Sequence, residues 1–292
     1  MGCPNVRILQ MKHAYLILSH NEFGVLDRLI RILDCEENDI FIHFDKKVRH
    51  LPIIHTKKSK CVILKHRVSG CWGDVSLVDI ELELMKAAYV KGAYDFYHIV
   101  SGVHYPLMTM SELHHLYEAE RKCFFQPMIS SEEEVEVKMR RCHFFSRLMM
   151  SFRFNSPGYK VGRFLWNLSL RLQNIVNYKR NTNTKFYKSS QWCSLTESAV
   201  EYLVAIEDQI RVRYSYTFCP DEYFVLSELM NSPLKEQIGY KDNLLKQEWV
   251  STHTKVYKME DYDSLMASGC FYARKFTSDS IELLDKIYDA IK

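Results

Sequence analysis

The sequence predicts an α/β fold in which helices cover both faces of a Rossmann-like mixed sheet. Three short apolar runs, at 14–18, 40–44 and 61–64, have the length and continuity of strands that are buried on both faces. Between the first two runs, apolar residues recur at helical spacing over 22–33. Strand, helix and strand in succession imply parallel pairing, and ligands on such sheets bind beyond the carboxyl ends of the strands.

The ends of two helices are marked by residues with capping preferences. Asn21 is expected to cap the helix over 22–33, because an Asn side chain accepts hydrogen bonds from the first free backbone N–H groups. A longer helix is predicted over 76–90, and Gly92 is expected to end it. The apolar face of this longer helix is formed by Leu77, Ile80, Leu84 and Ala88.

Three further elements complete the first part of the chain. A fourth strand is predicted over 94–100, a helix begins near Ser111, and 124–125 has the pattern of one more strand. Residues 11–126 are therefore predicted to form a nucleotide-binding half. Its ligand is expected at the loops after Leu18, Phe44, Leu64 and Val100.

Composition is that of an ordinary globular protein. The 292 residues are 47% hydrophobic and 26% charged, which predicts a single domain over 11–292. A net charge of only +3 argues against a nucleic-acid partner. Nine cysteines without a CxxC pair give no zinc pattern and are interpreted as free thiols in a reducing compartment.

The sequence also bears on targeting. No run of about 18 apolar residues is present, so a membrane-spanning helix is not expected. Residues 1–10 lack the apolar core of a signal peptide, and Met11 would be a natural start, so these residues are interpreted as an extension. A cytoplasmic location is the expectation that follows.

The segment 127–185 differs from the rest of the chain. It is interpreted as a variable helical insertion with a break at 155–158. A run of glutamates is followed by basic and aromatic residues, and these charges fit a solvated face. An acidic acceptor or a membrane-surface contact is the alternative interpretation. The remainder, 186–292, is predicted to be the acceptor-binding and catalytic half, with a helix over 200–212.

A proline and two adjacent carboxylates mark the candidate catalytic position. In the run 219–224, Pro220 precedes Asp221 and Glu222, and two aromatic residues follow. Desolvation and a like-charged neighbour both raise the pKa of a carboxylate toward useful base strength, which favours Glu222 as a general base. The alternative is a helix start, with Asp221 as N-cap and Glu222 in the first turn. The two interpretations are compatible, because a helix terminus is a rigid mount for a base.

A pair of adjacent cations is the second chemical signal. Arg274 and Lys275 are suited to grip a pyrophosphate and so to replace the metal that many sugar-nucleotide enzymes need. Gln191 and Trp192 offer an amide and an indole face. A solvated basic pair and a buried Trp are the ordinary alternatives. Asp45 follows a strand, which suits a uridine or ribose contact, and the lysines after it argue against a divalent ion.

Six short motifs occur in a fixed order along the chain. They are HFDKK at 43–47, WGDVSLV at 72–78, YHIVSG at 97–102 with YPL at 105–107, SSQW at 189–192, PDE at 220–222 and ARKF at 273–276. This order resembles the core-2/I-branching β-1,6-N-acetylglucosaminyltransferase and peptide-O-xylosyltransferase family over most of the chain. The segment 132–178 matches least. The resemblance implies a GT-A type fold and an inverting, metal-independent transfer from a UDP-sugar.

The resemblance also implies roles for individual residues. Glu222 corresponds to the family's catalytic glutamate, and Lys275 to its pyrophosphate-binding lysine, with Arg274 beside it. Asp45 corresponds to the strand-end aspartate near the uridine. The family's second phosphate-binding basic residue lies upstream of Lys275. Its candidates here are Lys246, His253 and Lys255.

Further substrate contacts are expected from residues within or beside these motifs. They are Asp221, Ser190, His104 and Trp72. His104 stands where the family has Asp, which leaves a local sugar or loop contact open.

The resemblance implies partners and a setting as well. The donor is expected to be a UDP-sugar, in first place UDP-N-acetylglucosamine, with no metal or other cofactor. The acceptor is expected to be a glycan or a lipid-linked oligosaccharide. Animal members have an N-terminal anchor and paired cysteines that this sequence lacks, so a bacterial member making surface polysaccharide at the inner face of the membrane is expected. The rival interpretation is a non-catalytic carbohydrate- or nucleotide-binding protein on the same fold.

Overall fold

The computed structural model describes residues 11–251 and 253–292. Its strands are β1 (His13–Ser19), β2 (Asn38–Phe44), β3 (Cys61–Ile63), β4 (Phe96–Ser101), β5 (Tyr105–Pro106), β6 (Cys123–Pro127), β7 (Ser189–Thr196), β8 (Ile238–Tyr240), β9 (Leu245–Lys246), β10 (Trp249–Val250), β11 (His253–Thr254) and β12 (Tyr272–Ala273). The predicted extension, 1–10, lies outside the described residues.

Helices connect these strands. They are α1 (Phe23–Leu33), α2 (Ser76–Lys91), α3 (Met110–Glu120), α4 (Glu132–Met139), α5 (Ser146–Met150), α6 (Pro157–Ile175), α7 (Glu197–Ala205), α8 (Glu207–Tyr214), α9 (Phe224–Met230), α10 (Tyr262–Met266) and α11 (Ile281–Ile291). Short 3-10 turns lie at Pro220–Glu222, Pro233–Gln237, Met259–Asp261 and Ser278–Ser280.

The main sheet has seven strands in the order β3-β2-β1-β4-β7-β6-β8. The first four are parallel, and Tyr15 of β1 lies opposite both Ile40 of β2 and His98 of β4. Strand β7 is antiparallel to β4 and to β6. The predicted α/β fold with a mixed sheet flanked by helices is therefore confirmed. The sheet runs continuously across the predicted halves 11–126 and 186–292.

Helix packing follows the apolar patterns. Helix α1 buries one face and packs against α11, where Arg28 donates two hydrogen bonds to Asp285, at 2.9 and 3.0 Å. Helix α2 packs against β1, β2 and α7. Its end is as predicted, because the Gly92 N–H donates to the Ala88 carbonyl.

The predicted cap of α1 is wrong. Glu22, not Asn21, precedes the helix, with φ of 53° and no side-chain capping hydrogen bond. The Glu22 carboxylate instead accepts a hydrogen bond of 2.7 Å from the Ser278 backbone N–H. A tertiary contact to a distant 3-10 turn thus fixes this corner, and local capping preference does not reveal it.

Two other predicted helical regions have different outcomes. The helical prediction over 200–212 is confirmed except at Ile206, where a break separates α7 from α8. The break predicted at 155–158 is confirmed between α5 and α6. Helix α6 begins at Pro157, and the Ser156 side chain accepts a hydrogen bond from the Tyr159 N–H.

The described residues also bear on cysteine chemistry and on membrane crossing. Eight described cysteines are free, in agreement with the expectation of thiols. Over 11–251 and 253–292, no helix combines the length and the apolar character needed to cross a bilayer.

Candidate active site

A cavity of about 360 Å³ lies at the carboxyl ends of the parallel strands. It is lined by the residues that follow three of the strands and by β7 and the chain after β12. The lining residues are Leu18, Ser19, His20, Asn21, His43, Asp45, Lys47, Gly70, Trp72, Leu77, Ile80, Ser101, Gly102, Val103, Gln191, Trp192 and Arg274. This is the place predicted from the sheet order, and its volume suits a small ligand.

Asp45 ties two loops of the cavity together. Its Oδ1 accepts a hydrogen bond of 2.8 Å from the Lys47 N–H, and its Oδ2 accepts one of 2.9 Å from the Gly70 N–H. The Lys47 ammonium lies 3.7 Å from the same Oδ2 and donates to the Gly70 carbonyl at 2.6 Å. Asp45, the residue predicted to contact uridine, is thus held in a fixed position at the cavity wall, with the Lys47 ammonium beside it.

Trp192 separates two predicted residues. The Arg274 guanidinium lies 5.0 Å from the centre of the Trp192 ring, on the cavity side. The His104 ring packs edge-on at 4.7 Å from Trp192. His104 is 1% exposed and does not line the cavity. The structure therefore places His104 as support for Trp192, and its predicted contact to substrate remains a prediction.

His104 is held as a neutral ring. Its Nδ1 accepts a hydrogen bond of 3.0 Å from the Ser101 backbone N–H, and the Ser101 hydroxyl lies 2.6 Å from the same atom. Burial first, and then the charge of Arg274, lower the pKa of His104 well below its usual range. The imidazole therefore adds no positive charge to the site.

Arg274 is a half-buried cation without a carboxylate partner in the part of the chain that the structure describes. Its one side-chain hydrogen bond goes to Gln247 Oε1 at 3.4 Å, and its Nε has no partner. Burial lowers the pKa of Arg274 to about 10, so it remains charged at neutral pH. A partly desolvated guanidinium that lacks a carboxylate partner is suited to receive an anionic ligand.

Lys275 does not line the cavity, but its charge acts on His20, which does. Burial lowers the pKa of His20, a lining residue, and the charges of Lys47, Lys275 and Arg274 lower it further, while Asp45 opposes them. The charges of Asp45, Lys47, Lys275 and Arg274 therefore all act on the His20 ring. Lys275 has no ion-pair partner among residues 11–251 and 253–292.

The candidates for a second phosphate-binding residue are placed differently. Lys246 and Lys255 pair with Glu248 at 2.9 and 3.4 Å, and Lys255 also pairs with Asp261 at 2.7 Å. His253 is exposed. The backbones of the two lysines lie beside the cation pair. The Lys246 carbonyl accepts a hydrogen bond from the Arg274 N–H, and the Lys255 carbonyl accepts one from the Lys275 N–H.

Glu81 is a site residue that the sequence reasoning missed. This residue of α2 is fully buried, and its Oε1 accepts a hydrogen bond of 2.7 Å from Gln191, which lines the cavity. Burial raises the pKa of Glu81 well above its usual range. A signal was available, since Glu81 lies among Leu77, Ile80 and Leu84 on the face predicted to be buried.

Asp221 lies next in this buried chain of polar groups. The prediction that it caps a helix is wrong, because it occupies a 3-10 turn, Pro220–Glu222, that begins after Cys219 in a left-handed conformation. Its Oδ1 is buried without a hydrogen-bond partner. Burial, and then the charge of Glu222, raise the pKa of Asp221 to about 7.

Glu222 sits between two lysines. Its Oε2 lies 3.6 Å from the Lys138 ammonium and 3.4 Å from the Lys188 ammonium. Both lysines also pair with Glu134, each at 2.7 Å. The Glu222 side chain is 30% exposed and does not line the cavity described above. The lysines fix its orientation and leave part of the side chain accessible.

The 3-10 turn is nevertheless joined to the cavity wall. Trp72 lines the cavity and packs edge-on against Phe218 at 5.6 Å, and the Cys219 N–H donates to the Gly73 carbonyl at 3.0 Å. Ser190 does not line the cavity, and its hydroxyl accepts a weak hydrogen bond of 3.4 Å from the Trp192 N–H. Of the predicted residues, the cavity thus brings together Asp45, Trp72, Gln191, Trp192 and Arg274.

The raised pKa of Asp221 predicts a pH-dependent stability. A carboxyl that binds its proton more tightly in the folded state costs stability as pH rises from its unfolded pKa, near 4, to its folded pKa, about 7. Asp221→Asn removes this cost. We expect the variant to gain about 4 kcal/mol relative to wild type between pH 4 and pH 8. Urea unfolding at both pH values measures it, and a pH-independent difference would refute it.

Comparison with known proteins places the chain in a family. The family model for the Core-2/I-Branching enzyme matches residues 13–266. Xylosyltransferase 2 of Rattus norvegicus is 26% identical over 97% of this chain, and that of Homo sapiens is 25% identical over 98%. The chain spans 34% of the length of both relatives.

One solved structure has a remote likeness. The apo structure of the WbbM bifunctional glycosyltransferase overlaps with 94% of this chain and 47% of its own, at 10% identity and a TM-score of 0.41. That overlap is too low to carry a conclusion. The family match extends over most of the chain, and the chain belongs to the Core-2/I-Branching enzyme family.

Proposed function

We propose that this protein is an inverting, metal-independent glycosyltransferase. It moves a sugar from a UDP-sugar to a hydroxyl of a glycan acceptor, in the synthesis of surface polysaccharide. The observation that carries the proposal is the half-buried guanidinium of Arg274, which lines the cavity without a carboxylate partner among the described residues. A diphosphate would supply the missing negative charge.

The reaction needs one base and one anion-binding group. Glu222 takes the proton from the acceptor hydroxyl, and the acceptor oxygen forms a bond to the anomeric carbon of the donor. The bond from that carbon to the diphosphate breaks on the opposite face, so the configuration inverts. UDP leaves with the bonding electron pair, and Arg274 and Lys275 stabilise its charge.

The donor sugar is proposed as N-acetylglucosamine. Xylose is the second candidate, because the similar curated proteins are named xylosyltransferase. Asp45 is proposed to lie near the uridine or ribose, and Trp192 and Trp72 to offer aromatic faces to the ligand.

The proposed function is tested with a panel of UDP-sugars. We expect UDP-N-acetylglucosamine to raise the melting temperature and to release UDP when a suitable acceptor is present. A control with ADP-glucose should give neither effect. Stabilisation without UDP release, over the whole donor panel and with acceptor glycans, would favour the rival function of a carbohydrate- or nucleotide-binding protein.

Metal independence gives a separate prediction. Lys47 beside Asp45 and the Arg274–Lys275 pair place fixed positive charge where a sugar-nucleotide enzyme with a metal would bind its cation. Within the described residues, no group of three His, Cys, Asp or Glu side chains is arranged to hold a metal ion. We expect UDP release to be unchanged in EDTA. Loss of activity in EDTA that manganese restores would contradict this prediction.

A further inference from the structure

Basic charge is concentrated in one part of the chain. Between residues 137 and 196 the sequence has twelve Lys or Arg residues and no Asp or Glu, whereas the whole chain has a net charge of +3. Some of these cations are neutralised from outside the segment; Glu136, for example, pairs with Arg141 at 2.7 Å. Others are exposed and have no ion-pair partner in the described chain. They are Arg153, Lys160, Arg163, Arg171 and Lys185, of which the first four lie on α6 or in the turn before it.

Helix α6 carries an apolar stripe on its solvent side. Its only buried residues are Gly162 and Gln173. Gly162 faces α5, where an added Cβ would lie 2.8 Å from the Met149 backbone. The opposite side of α6 is exposed. Its large apolar residues, spaced by three or four positions and 41–78% exposed, are Val161, Phe164, Leu168, Leu172 and Ile175.

A basic and polar stripe runs beside the apolar one with the same spacing. It consists of exposed residues, namely Lys160, Arg163, Asn167, Arg171 and Asn174. At 3.6 residues per turn the two stripes are adjacent on the helix surface. The turn that leads into α6 adds Phe152 and Phe154, which are 44% and 67% exposed and flank Arg153.

An exposed stripe of this size marks an interaction surface. We propose that α6 and the turn 151–156, here called the basic-apolar face, bind the surface of an anionic lipid bilayer. The apolar stripe enters the acyl boundary and the basic stripe meets the headgroups, so the helix lies in the membrane plane. The 19 residues of α6 contain three cations, which is incompatible with spanning.

Charge complementarity favours a bilayer over a second copy of this chain. Pairing two basic-apolar faces would bring two sets of unpaired cations together, which costs energy. An anionic membrane supplies apolar interior and negative charge at once. The inference rests on this surface alone and not on the proposed activity.

The basic-apolar face is attached to the wall of the cavity. Trp166 of α6 packs against Phe218 at 5.4 Å, and Phe218 packs against Trp72. Arg147 of α5 pairs with Asp74 at 3.3 Å. A membrane-bound face would therefore hold the site close to the bilayer, where lipid-linked acceptors are found.

The test is co-sedimentation of the full chain with lipid vesicles. Vesicles of phosphatidylcholine are compared with vesicles that also contain phosphatidylglycerol, at low and high salt. We expect binding to the anionic vesicles only, and weaker binding at high salt. Phe164→Ser with Leu168→Ser, and separately Arg163→Glu with Arg171→Glu, should each weaken partitioning at least about tenfold.

Matched controls separate this surface from general stickiness and from misfolding. Val90→Ser with Ile129→Ser removes residues that are 79% and 98% exposed elsewhere, and should leave vesicle binding unchanged. Melting temperature and UDP-induced stabilisation, measured without lipid, report folding and nucleotide binding independently. If the variant with Phe164→Ser and Leu168→Ser is misfolded, the variant with Arg163→Glu and Arg171→Glu still tests whether this surface binds the vesicles.

Four results would overturn the inference. They are no binding to anionic vesicles at low salt, equal binding to both kinds of vesicle, binding that the stripe substitutions leave unchanged, and a stripe-dependent dimer in analytical ultracentrifugation. The last result would assign the face to a second copy of the chain.

Discussion

Glu222→Gln is expected to lower the rate of sugar transfer by about 10²–10⁴-fold, because an amide cannot accept the acceptor proton. Gln is nearly the same size and keeps a polar group beside Lys138 and Lys188, so folding and UDP binding should persist. UDP release under saturating donor and acceptor measures the rate. Isothermal titration with UDP measures the binding.

Asp221→Asn is the matched comparison for this prediction. Asp221 is the adjacent carboxyl, and its pKa of about 7 would also suit a general base. Asp221 Oδ1 and Glu222 Oε2 are both buried, but the Glu222 side chain as a whole is 30% exposed, which leaves part of it accessible to an acceptor. We expect Asp221→Asn to cause a much smaller loss of rate. Near-normal turnover in Glu222→Gln, together with an inactive Asp221→Asn, would transfer the role of base to Asp221.

Lys275→Ala and Arg274→Ala are expected to have the second largest effect. Each removes a fixed positive charge at the proposed diphosphate position, and loss of one such group lowers the rate by about 10²–10³-fold. UDP binding should weaken as well, because the charge acts on the bound nucleotide and on the transition state. This distinguishes both variants from Glu222→Gln, which affects the rate alone.

Exposed lysines provide the control for this pair. Lys58→Ala removes an exposed cation just before the amino end of β3 that does not line the cavity, and it should leave UDP affinity unchanged. Measuring UDP affinity in Lys246→Ala and in Lys255→Ala then shows which of these two lysines is the second phosphate-binding residue. Wild-type UDP affinity in both Arg274→Ala and Lys275→Ala would rule out the diphosphate assignment.

Much of the fold was predictable because its signals are local. The apolar runs of β1, β2 and β3 and the helical spacing of α1 and α2 identify a parallel α/β unit without any long-range information. The placement of β7 between β4 and β6 was not predictable, because it pairs residues that are far apart in sequence. The corner at Glu22 also depends on a tertiary contact, the hydrogen bond from the Ser278 N–H.

The site was predictable where it follows strand ends. Asp45 lines the cavity for that reason, whereas Trp192 lines it from within β7, and Arg274 lines it through the short pairing of β12 with β9. The support behind them was harder to foresee. Glu81 holds Gln191 from inside α2, and Lys138 holds Glu222 from a helix of the segment that matches the family least. Side-chain partners that come from other elements leave only weak traces in sequence spacing.

A crystal structure of the protein with UDP tests the central claim most directly. We expect the uridine beside Asp45, the diphosphate within hydrogen-bond distance of Arg274 and Lys275, and the Glu222 carboxylate facing the same cleft. UDP bound elsewhere, or a Glu222 side chain directed to the other side of the molecule, would contradict the account.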